Sequence, residues 1–170
     1  QYILHNYKDL ENTVVVSPDH GGVGRARKLA EIINCPIAIV DKRRPRPNVS
    51  EIIGIVGDVN GKNCIIVDDI IDTAGTLCNA AKKLKELGAN RIFAAASHGV
   101  LSGAAIENIK NSVIDKVLIT DSIPLTEDKM SDKIEVLSLA ELLAKIIVAL
   151  DTGTSLSQAL EAYAKEHYGE

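Results

Sequence analysis

Residues 63–76 read Asn-Cys-Ile-Ile-Val-Asp-Asp-Ile-Ile-Asp-Thr-Ala-Gly-Thr, and this stretch decides the fold. Its first part, residues 63–67, is an apolar run that predicts a strand buried on both faces. An acidic segment over residues 68–72 follows, and the Thr-Ala-Gly-Thr turn then opens a helix. A buried strand that leads into a helix through a polar turn is typical of a parallel α/β sheet.

Strands and helices alternate in the same way along the rest of the chain. Apolar runs predict further strands over residues 13–17, 36–40, 52–56, 91–97, 116–120 and 134–137. Helical spacing predicts helices after residue 22, after residue 76, near residues 103–112, and from Ser138 and Ser155. A loop rich in proline and arginine is predicted over residues 41–50. We therefore expect a Rossmann-like α/β fold, with a parallel sheet, helices on both faces, and ligands at the carboxyl ends of the strands.

Composition and charge limit the possible classes of protein. A chain of 170 residues with 46% apolar and 25% charged side chains predicts one soluble domain over residues 1–170, with residues 151–170 as a helical tail. The net charge of −4 argues against a nucleic-acid-coating protein, and no apolar run is long enough to span a membrane. The odd number of cysteines, Cys35, Cys64 and Cys78, predicts reduced thiols in the cytoplasm.

The acidic segment and the turn after it carry the groups that bind a sugar phosphate. The carboxylates of Asp68 and Asp69 can accept hydrogen bonds from paired sugar hydroxyls, directly or through Mg²⁺. The turn over residues 72–76 offers backbone N–H groups, hydroxyls and a helix N-terminus, which suit a phosphate. The alternative is that Asp72 or Thr73 only caps the helix. Two carboxylates directly after a buried strand favour a pentose phosphate site.

Two further segments contain groups that can bind anions. Residues 17–22 place Asp19, a histidine and two glycines between a strand and a helix, which suits a metal-bound anion. A plain turn capped by Asp19 fits the same residues equally well. Residues 42–46 hold four of the 19 basic side chains. Alternate residues of an extended segment share a face, so Lys42 and Arg44 can point the same way.

Three segments resemble one known family. Residues 64–76 resemble the phosphoribosyl diphosphate (PRPP) motif of type I phosphoribosyltransferase folds. Residues 17–27, SPDHGGVGRAR, resemble the pyrophosphate loop of the ribose-phosphate pyrophosphokinases, also called PRPP synthetases. Residues 40–48, VDKRRPRPN, resemble the flexible catalytic loop of the same family. The resemblance covers about residues 12 to 150 and implies the type I phosphoribosyltransferase fold.

The resemblance implies transfer of a pyrophosphoryl group from Mg²⁺-ATP to the 1-hydroxyl of ribose 5-phosphate, which gives PRPP and AMP. It implies that Lys42 and Arg44 are catalytic and that Asp19 and Asp68 help to bind Mg²⁺. The ribose 5-phosphate site that it implies comprises Asp68, Asp69, Asp72, Thr73, Ala74, Gly75 and Thr76. The pyrophosphate or ATP loop that it implies comprises Asp19, His20, Gly21 and Gly22.

The same resemblance bears on regulation and assembly. Ser155 and Ser157 resemble a serine pair at which the family binds a regulatory phosphate or ADP between subunits. Nothing in the chain resembles the family's amino-terminal half, so we expect the carboxyl-terminal domain of a longer, hexameric enzyme that is inactive alone. A noncatalytic subunit associated with PRPP synthetase and a base phosphoribosyltransferase are the alternatives. No nucleic acid or membrane partner is expected.

Overall fold

A computed structural model describes the backbone of residues 2–3, 12–46 and 49–168, and the side chains of residues 2–3, 12–41 and 54–167. The described residues divide into two compact units. The larger unit comprises residues 12–137, and the smaller comprises residues 138–168 with residues 2–3. That both units belong to one domain over residues 1–170 stays a prediction.

Strands and helices alternate along the larger unit. Its strands are β1 (Thr13–Ser17), β2 (Ile37–Arg46), β3 (Val49–Val56), β4 (Asn63–Ile71), β5 (Ile92–Gly99), β6 (Lys116–Thr120) and β7 (Ile134–Leu137). Its helices are α1 (Val23–Ile33), α2 (Gly75–Glu86) and α3 (Ala105–Asn111), with a short 3₁₀ turn at Glu127–Lys129. The apolar runs therefore form strands, as their pattern predicts.

The strands form one seven-stranded sheet in the order β3-β2-β1-β4-β5-β6-β7. Neighbouring strands are parallel except β2 and β3, which run antiparallel, so the sheet is mostly rather than entirely parallel. The chain passes from β1 to β2 in one direction and from β4 to β5 in the other. The topological switch point therefore lies between the paired strands β1 and β4, and open α/β sheets bind ligands at the carboxyl ends of such strands.

Helices cover both faces of the sheet, which confirms the predicted α/β fold. The β1 to β2 and β4 to β5 connections run in opposite directions, so right-handed crossovers place α1 and α2 on opposite faces. The core shows the same division along β1. Val14 and Val16 lie in a buried cluster with α2 and α3, whereas Val15 between them is buried outside that cluster.

The prediction of a loop over residues 41–50 is wrong. β2 runs to Arg46 and β3 begins at Val49, and the two strands pair as an antiparallel hairpin. Lys42 is opposite Ile52. The pairing register shifts between Asp41 and Lys42 and again between Arg43 and Arg46. β2 pairs with β1 only as far as Ile39, so Pro45 lies in a two-stranded ribbon where its missing N–H is tolerated.

The acidic segment is also a strand in part. β4 continues through Asp68 and Asp69 to Ile71, because Asp68 pairs with Ala96 and Ile71 pairs with Gly99 of β5. This pairing outweighs the weak strand propensity of aspartate. Asp68 and Asp69 therefore lie near the carboxyl end of a paired strand, and the pairing fixes the position of their backbone.

The smaller unit consists mainly of helices α4 (Ala140–Asp151) and α5 (Leu156–Tyr168), and α5 accounts for most of the predicted tail. His167 Nε2 lies 2.9 Å from Glu141 Oε2, and Lys145 Nζ lies 3.7 Å from Glu141 Oε1 and also pairs with Glu166. The pairs of His167 with Glu141 and of Lys145 with Glu166 connect α5 to α4. Within the part of the chain that the structure describes, no helix has the length and apolar content needed to cross a membrane.

Candidate functional site at the topological switch point

Two strand-to-helix loops flank the switch point. The first joins β1 to α1 over residues 18–22, and the second joins β4 to α2 over residues 72–74. Because β1 and β4 are parallel neighbours, both loops leave the same edge of the sheet, at the carboxyl ends of the strands. The fold thereby brings together two of the segments that the sequence predicts to bind anions.

The β1–α1 loop is stabilised by its own side chains. The buried Ser17 hydroxyl donates a hydrogen bond to the carbonyl oxygen of Asp19 at 2.6 Å. The Asp19 carboxylate accepts a hydrogen bond from the N–H of Gly22 at 2.9 Å. A Cβ atom on Gly22 would lie 2.9 Å from the Ser17 hydroxyl oxygen, so alanine at this position would displace that hydroxyl. Asp19 therefore closes the turn before α1, and no side chain in the described part of the chain caps the helix at Gly22. The metal-binding role of Asp19 stays a prediction.

His20 is on the outer side of the same loop. Its ring is largely exposed, and Nε2 lies 3.8 Å from a carboxylate oxygen of Asp41 in β2. Gly21 next to it is exposed as well. The predicted pyrophosphate loop therefore lies next to β2 at Asp41.

An arginine connects the helix that follows the first loop to the strand that precedes the second. Arg25 is in the first turn of α1, and its guanidinium lies 3.3 Å from Asp68 Oδ1 and 3.0 Å from Asp69 Oδ2. The sequence alone does not indicate a role for Arg25, since its contact with β4 depends on the sheet order. Its position within the predicted pyrophosphate loop was the available signal.

The two carboxyl groups of β4 have different environments. Half-burial and the neighbouring Asp69 carboxyl raise the pKa of Asp68 above its ordinary value, and Arg25 opposes that shift. The interaction with Asp68 and the Arg25 guanidinium lower the pKa of the more exposed Asp69. A partly desolvated carboxyl that is next to an ionised one attracts a cation strongly. The pair therefore suits a divalent cation or sugar hydroxyls.

The donor set fits Mg²⁺ only in part. Asp68 and Asp69 offer the hard oxygen ligands that Mg²⁺ requires. Among the described residues, the one group of three or more candidate ligands within 4.8 Å of one another comprises Glu141, Glu166 and His167. Asp19 therefore does not come together with both β4 carboxylates, and a bound Mg²⁺ would keep several waters.

The β4–α2 loop has the backbone geometry of an anion site. Ala74 caps α2 with a left-handed backbone (φ 59°), and no side chain hydrogen-bonds the helix start at this residue. The first N–H groups of a helix have no partner within the helix, so those that follow Ala74 are available to an anion. Thr73 and Thr76 are exposed beside them, and Gly75 leaves space because no atom lies within 3.4 Å of its missing Cβ. Neither Asp72 nor Thr73 caps the helix, so that alternative interpretation is wrong.

Lys42 and Arg44 lie on β2 beyond its last pairing with β1, at the edge of the sheet where both loops lie. Their side chains are outside the described part of the structure. Ser155 and Ser157 are exposed at the start of α5 in the smaller unit. The regulatory role of these serines stays a prediction.

Comparison with known proteins now defines the class. The structure superimposes on a phosphoribosylpyrophosphate synthetase from Mycobacterium smegmatis with a TM-score of 0.81 and 40% identity, covering 89% of this chain and 49% of that one. An orotate phosphoribosyltransferase from Aeropyrum pernix shares the fold at 17% identity and a TM-score of 0.54, over 82% of this chain and 71% of that one. The fold is therefore that of the type I phosphoribosyltransferases, as the sequence predicts.

Residues 44–161 match the family of the phosphoribosyl synthetase-associated domain, and the chain belongs to this family. The chain is also 57% identical over 151 residues to a ribose-phosphate pyrophosphokinase from Listeria ivanovii, which covers 89% of this chain and 48% of the relative. The chain thus spans about half the length of the curated relatives that it matches. The predicted resemblance is confirmed.

Proposed function

We propose that the chain is the ribose 5-phosphate-binding and catalytic part of a ribose-phosphate diphosphokinase. The reaction is attack by the 1-hydroxyl of ribose 5-phosphate on the β-phosphorus of Mg²⁺-ATP, which yields PRPP and AMP. Relatives with 57% and 54% identity are named ribose-phosphate pyrophosphokinases, which supports this reaction. The cytoplasmic location that the unpaired cysteines predict belongs to the same proposal.

One observation carries the proposal: a carboxylate pair and an exposed helix N-terminus stand at opposite ends of a single strand-to-helix connection. Asp68 and Asp69 lie at the end of β4, and the N-terminus of α2 follows after residues 72–74. A pentose phosphate presents vicinal hydroxyls at one end and a phosphate at the other. The hydroxyls match the carboxylates, and the phosphate matches the helix start over residues 72–76.

The cation chemistry at the edge of the sheet comes from two sources. Asp68 and Asp19 would hold Mg²⁺, which would neutralise charge on the phosphates. Arg25 forms ion pairs with Asp68 and Asp69 at 3.3 and 3.0 Å. We place the transferred pyrophosphate against residues 19–22, because the start of α1 directs N–H groups to that point.

Lys42 and Arg44 are assigned the stabilisation of the transition state. Pyrophosphoryl transfer spreads negative charge over the nonbridging oxygens, so positioned cations lower the barrier more than a covalent nucleophile does. Both residues lie on the part of β2 that extends past β1. Hexamer formation, and control by phosphate or ADP at Ser155 and Ser157, are proposed on the strength of the family resemblance alone.

An AMP-release assay tests the proposed reaction. ATP, Mg²⁺, phosphate and ribose 5-phosphate are supplied to the 170-residue chain and to this chain joined to the remaining half of the Listeria ivanovii relative. We expect AMP release only from the joined protein, with a fall of at least about 100-fold in the Lys42→Ala variant, since loss of one group that stabilises the transition state costs about 10² to 10³ in rate.

The matched control is Lys82→Ala, which removes the same charge from an exposed position of α2. Normal AMP release by Lys42→Ala would contradict the catalytic assignment. A joined protein that binds PRPP but releases no AMP would instead support a noncatalytic subunit or a base phosphoribosyltransferase.

A further inference from the structure

The β4–α2 loop is fixed by residues from a different connection. Consecutive carbonyl oxygens of Ile71, Asp72 and Thr73 each accept a hydrogen bond from the segment that joins β5 to α3 and from α3 itself. The donors are the Leu101 N–H at 3.1 Å, the Ser102 N–H at 3.1 Å and the Asn108 side-chain amide at 3.0 Å.

The directions of these carbonyl groups also fix the directions of the N–H groups in the same peptide units. A trans peptide unit is planar, and its carbonyl oxygen and N–H hydrogen point in opposite directions. The chain has no cis peptide bond among the described residues. With the carbonyls of residues 71–73 directed at the β5–α3 segment, the N–H groups of Asp72, Thr73 and Ala74 point away from it. Successive backbone N–H groups of this kind, together with the first N–H groups of α2, are donors that suit an anion.

One buried residue in each of the two connections, β4–α2 and β5–α3, has a strained backbone. Leu101 and Ala74 have left-handed backbones, with φ of 51° and 59°, and their side chains are 1% and 5% exposed. Such a conformation in a non-glycine residue costs about 1 to 3 kcal/mol and persists only where the surroundings enforce it. The Ser102 hydroxyl adds a further contact by donating to the Asp72 carboxylate.

We propose that Ser102 and Asn108 are positioning residues for the 5-phosphate of ribose 5-phosphate. They do not touch the phosphate. The Ser102 hydroxyl holds the Asp72 carboxylate beside the Ser102 N–H that holds the Asp72 carbonyl, and the Asn108 amide holds the Thr73 carbonyl, so that the N–H groups of the same peptide units are directed at the phosphate. The inference rests on the proposed function, because that function supplies the ligand. It extends the site to residues about 30 positions away along the chain.

The test measures binding of ribose 5-phosphate and of inorganic phosphate to the 170-residue chain by isothermal titration calorimetry with Mg²⁺ present. Asn108→Asp keeps the shape of the side chain but replaces the donor to the Thr73 carbonyl with an acceptor. We expect the Kd for both ligands to rise about three- to tenfold, the range that loss of one ordinary hydrogen bond gives. Asn111→Asp is the matched control, since it adds the same charge to an exposed position of the same helix.

A second pair of variants covers the case in which Asn108→Asp does not fold. Ser102→Ala removes the hydroxyl that bonds Asp72 and is expected to weaken binding by about threefold or more, whereas Ser102→Thr retains the hydroxyl and is expected to restore it. Amide NMR spectra separate positioning from general destabilisation. In the Asn108→Asp variant, phosphate-induced shifts at Thr73 and Ala74 are expected to be lost while those at Thr76 persist.

The outcomes distinguish the inference from the proposed function. Weaker binding by Asn108→Asp and Ser102→Ala, with unchanged controls, supports the positioning role. If all four variants bind ribose 5-phosphate and phosphate as tightly as the wild type does, the positioning role is overturned and the proposed function stays in place. A wild-type chain that binds neither ribose 5-phosphate nor phosphate overturns the proposed site and, with it, this inference.

Discussion

The β1–α1 and β4–α2 loops have the same place in the fold but are stabilised in different ways. Each leaves the carboxyl end of a central parallel strand and leads into a helix N-terminus. The β1–α1 loop is held by Ser17 and Asp19, which hydrogen-bond within residues 17–22. The β4–α2 loop is held by Ser102 and Asn108, which come from the next βα connection.

This difference determines where substitutions act. A loop held by local bonds is disturbed by changes inside it, and its conformation can be read from a short segment of sequence. A loop held by another segment tolerates local changes better, because the constraint comes from its carbonyl groups. The cost is that its shape depends on residues that touch no ligand.

Glycine to alanine substitutions should separate the two loops most clearly. In Gly22→Ala the new Cβ would lie 2.9 Å from the Ser17 hydroxyl, which must then leave its bond to Asp19. We expect a loss of about 2 kcal/mol in the free energy of unfolding by urea, as is typical of overpacking. In Gly75→Ala the nearest atom is 3.8 Å from the new Cβ, and we expect no loss or a gain of up to about 1 kcal/mol. Equal effects at the two glycines would refute the contrast.

Replacing Asp68 should stabilise the fold while weakening the site. The pKa of Asp68 is raised, so its ionised form is less stable in the folded than in the unfolded chain. We expect Asp68→Asn to increase the free energy of unfolding at pH 7 by a few tenths to about 1 kcal/mol, with a large loss of ribose 5-phosphate binding. Asp69→Asn is the comparison, because the lowered pKa of Asp69 predicts no such gain.

The gain in the free energy of unfolding of Asp68→Asn depends on pH because the pKa of Asp68 is raised in the folded chain. The folded chain holds the Asp68 proton more tightly than the unfolded chain, so the stability difference between Asp68→Asn and wild type arises as pH rises above 3.8. It should be constant at neutral pH and disappear below 3.8, where Asp68 is protonated in both states. Urea unfolding of both proteins between pH 3 and pH 7 measures it, and a gain that persists at pH 3 would show another cause.

Arg25 connects α1 to β4, and its removal should have a smaller effect. Its guanidinium pairs with Asp68 and Asp69 and would repel a divalent cation. These groups are partly exposed, so we expect only a three- to fivefold tighter binding of Mg²⁺ by Arg25→Gln, a difference of about 1 kcal/mol. Arg27→Gln removes the same charge from an exposed position of α1 and is expected to leave Mg²⁺ binding unchanged. Identical titrations would mean that Mg²⁺ binds away from Asp68 and Asp69.

Much of the fold follows from local patterns in the sequence. Buried runs such as residues 13–17 and 63–67 form strands because a continuous apolar segment needs cover on both faces. The extension of β4 through Asp68 and Asp69 could not be predicted in this way, since it depends on pairing with β5. The β2–β3 hairpin was missed for the same reason, because proline and arginine favour a loop when their pairing partner is unknown.

The candidate site shows the same limit. The carboxylate pair and the turn at residues 72–76 are adjacent in sequence, so their chemistry was readable without a structure. Arg25 lies 43 residues from Asp68, and Asn108 lies 35 residues from Thr73. Contacts over such separations are fixed by the strand order, which no short motif encodes.

An amide NMR titration of the 170-residue chain with ribose 5-phosphate and Mg²⁺ tests the central claim most directly. We predict that the largest shifts fall on residues 72–76, with a second set at Asp68 and Asp69, and that inorganic phosphate reproduces only the first set. Shifts confined to residues 19–22, or spread over the surface without a maximum after β4, would contradict it.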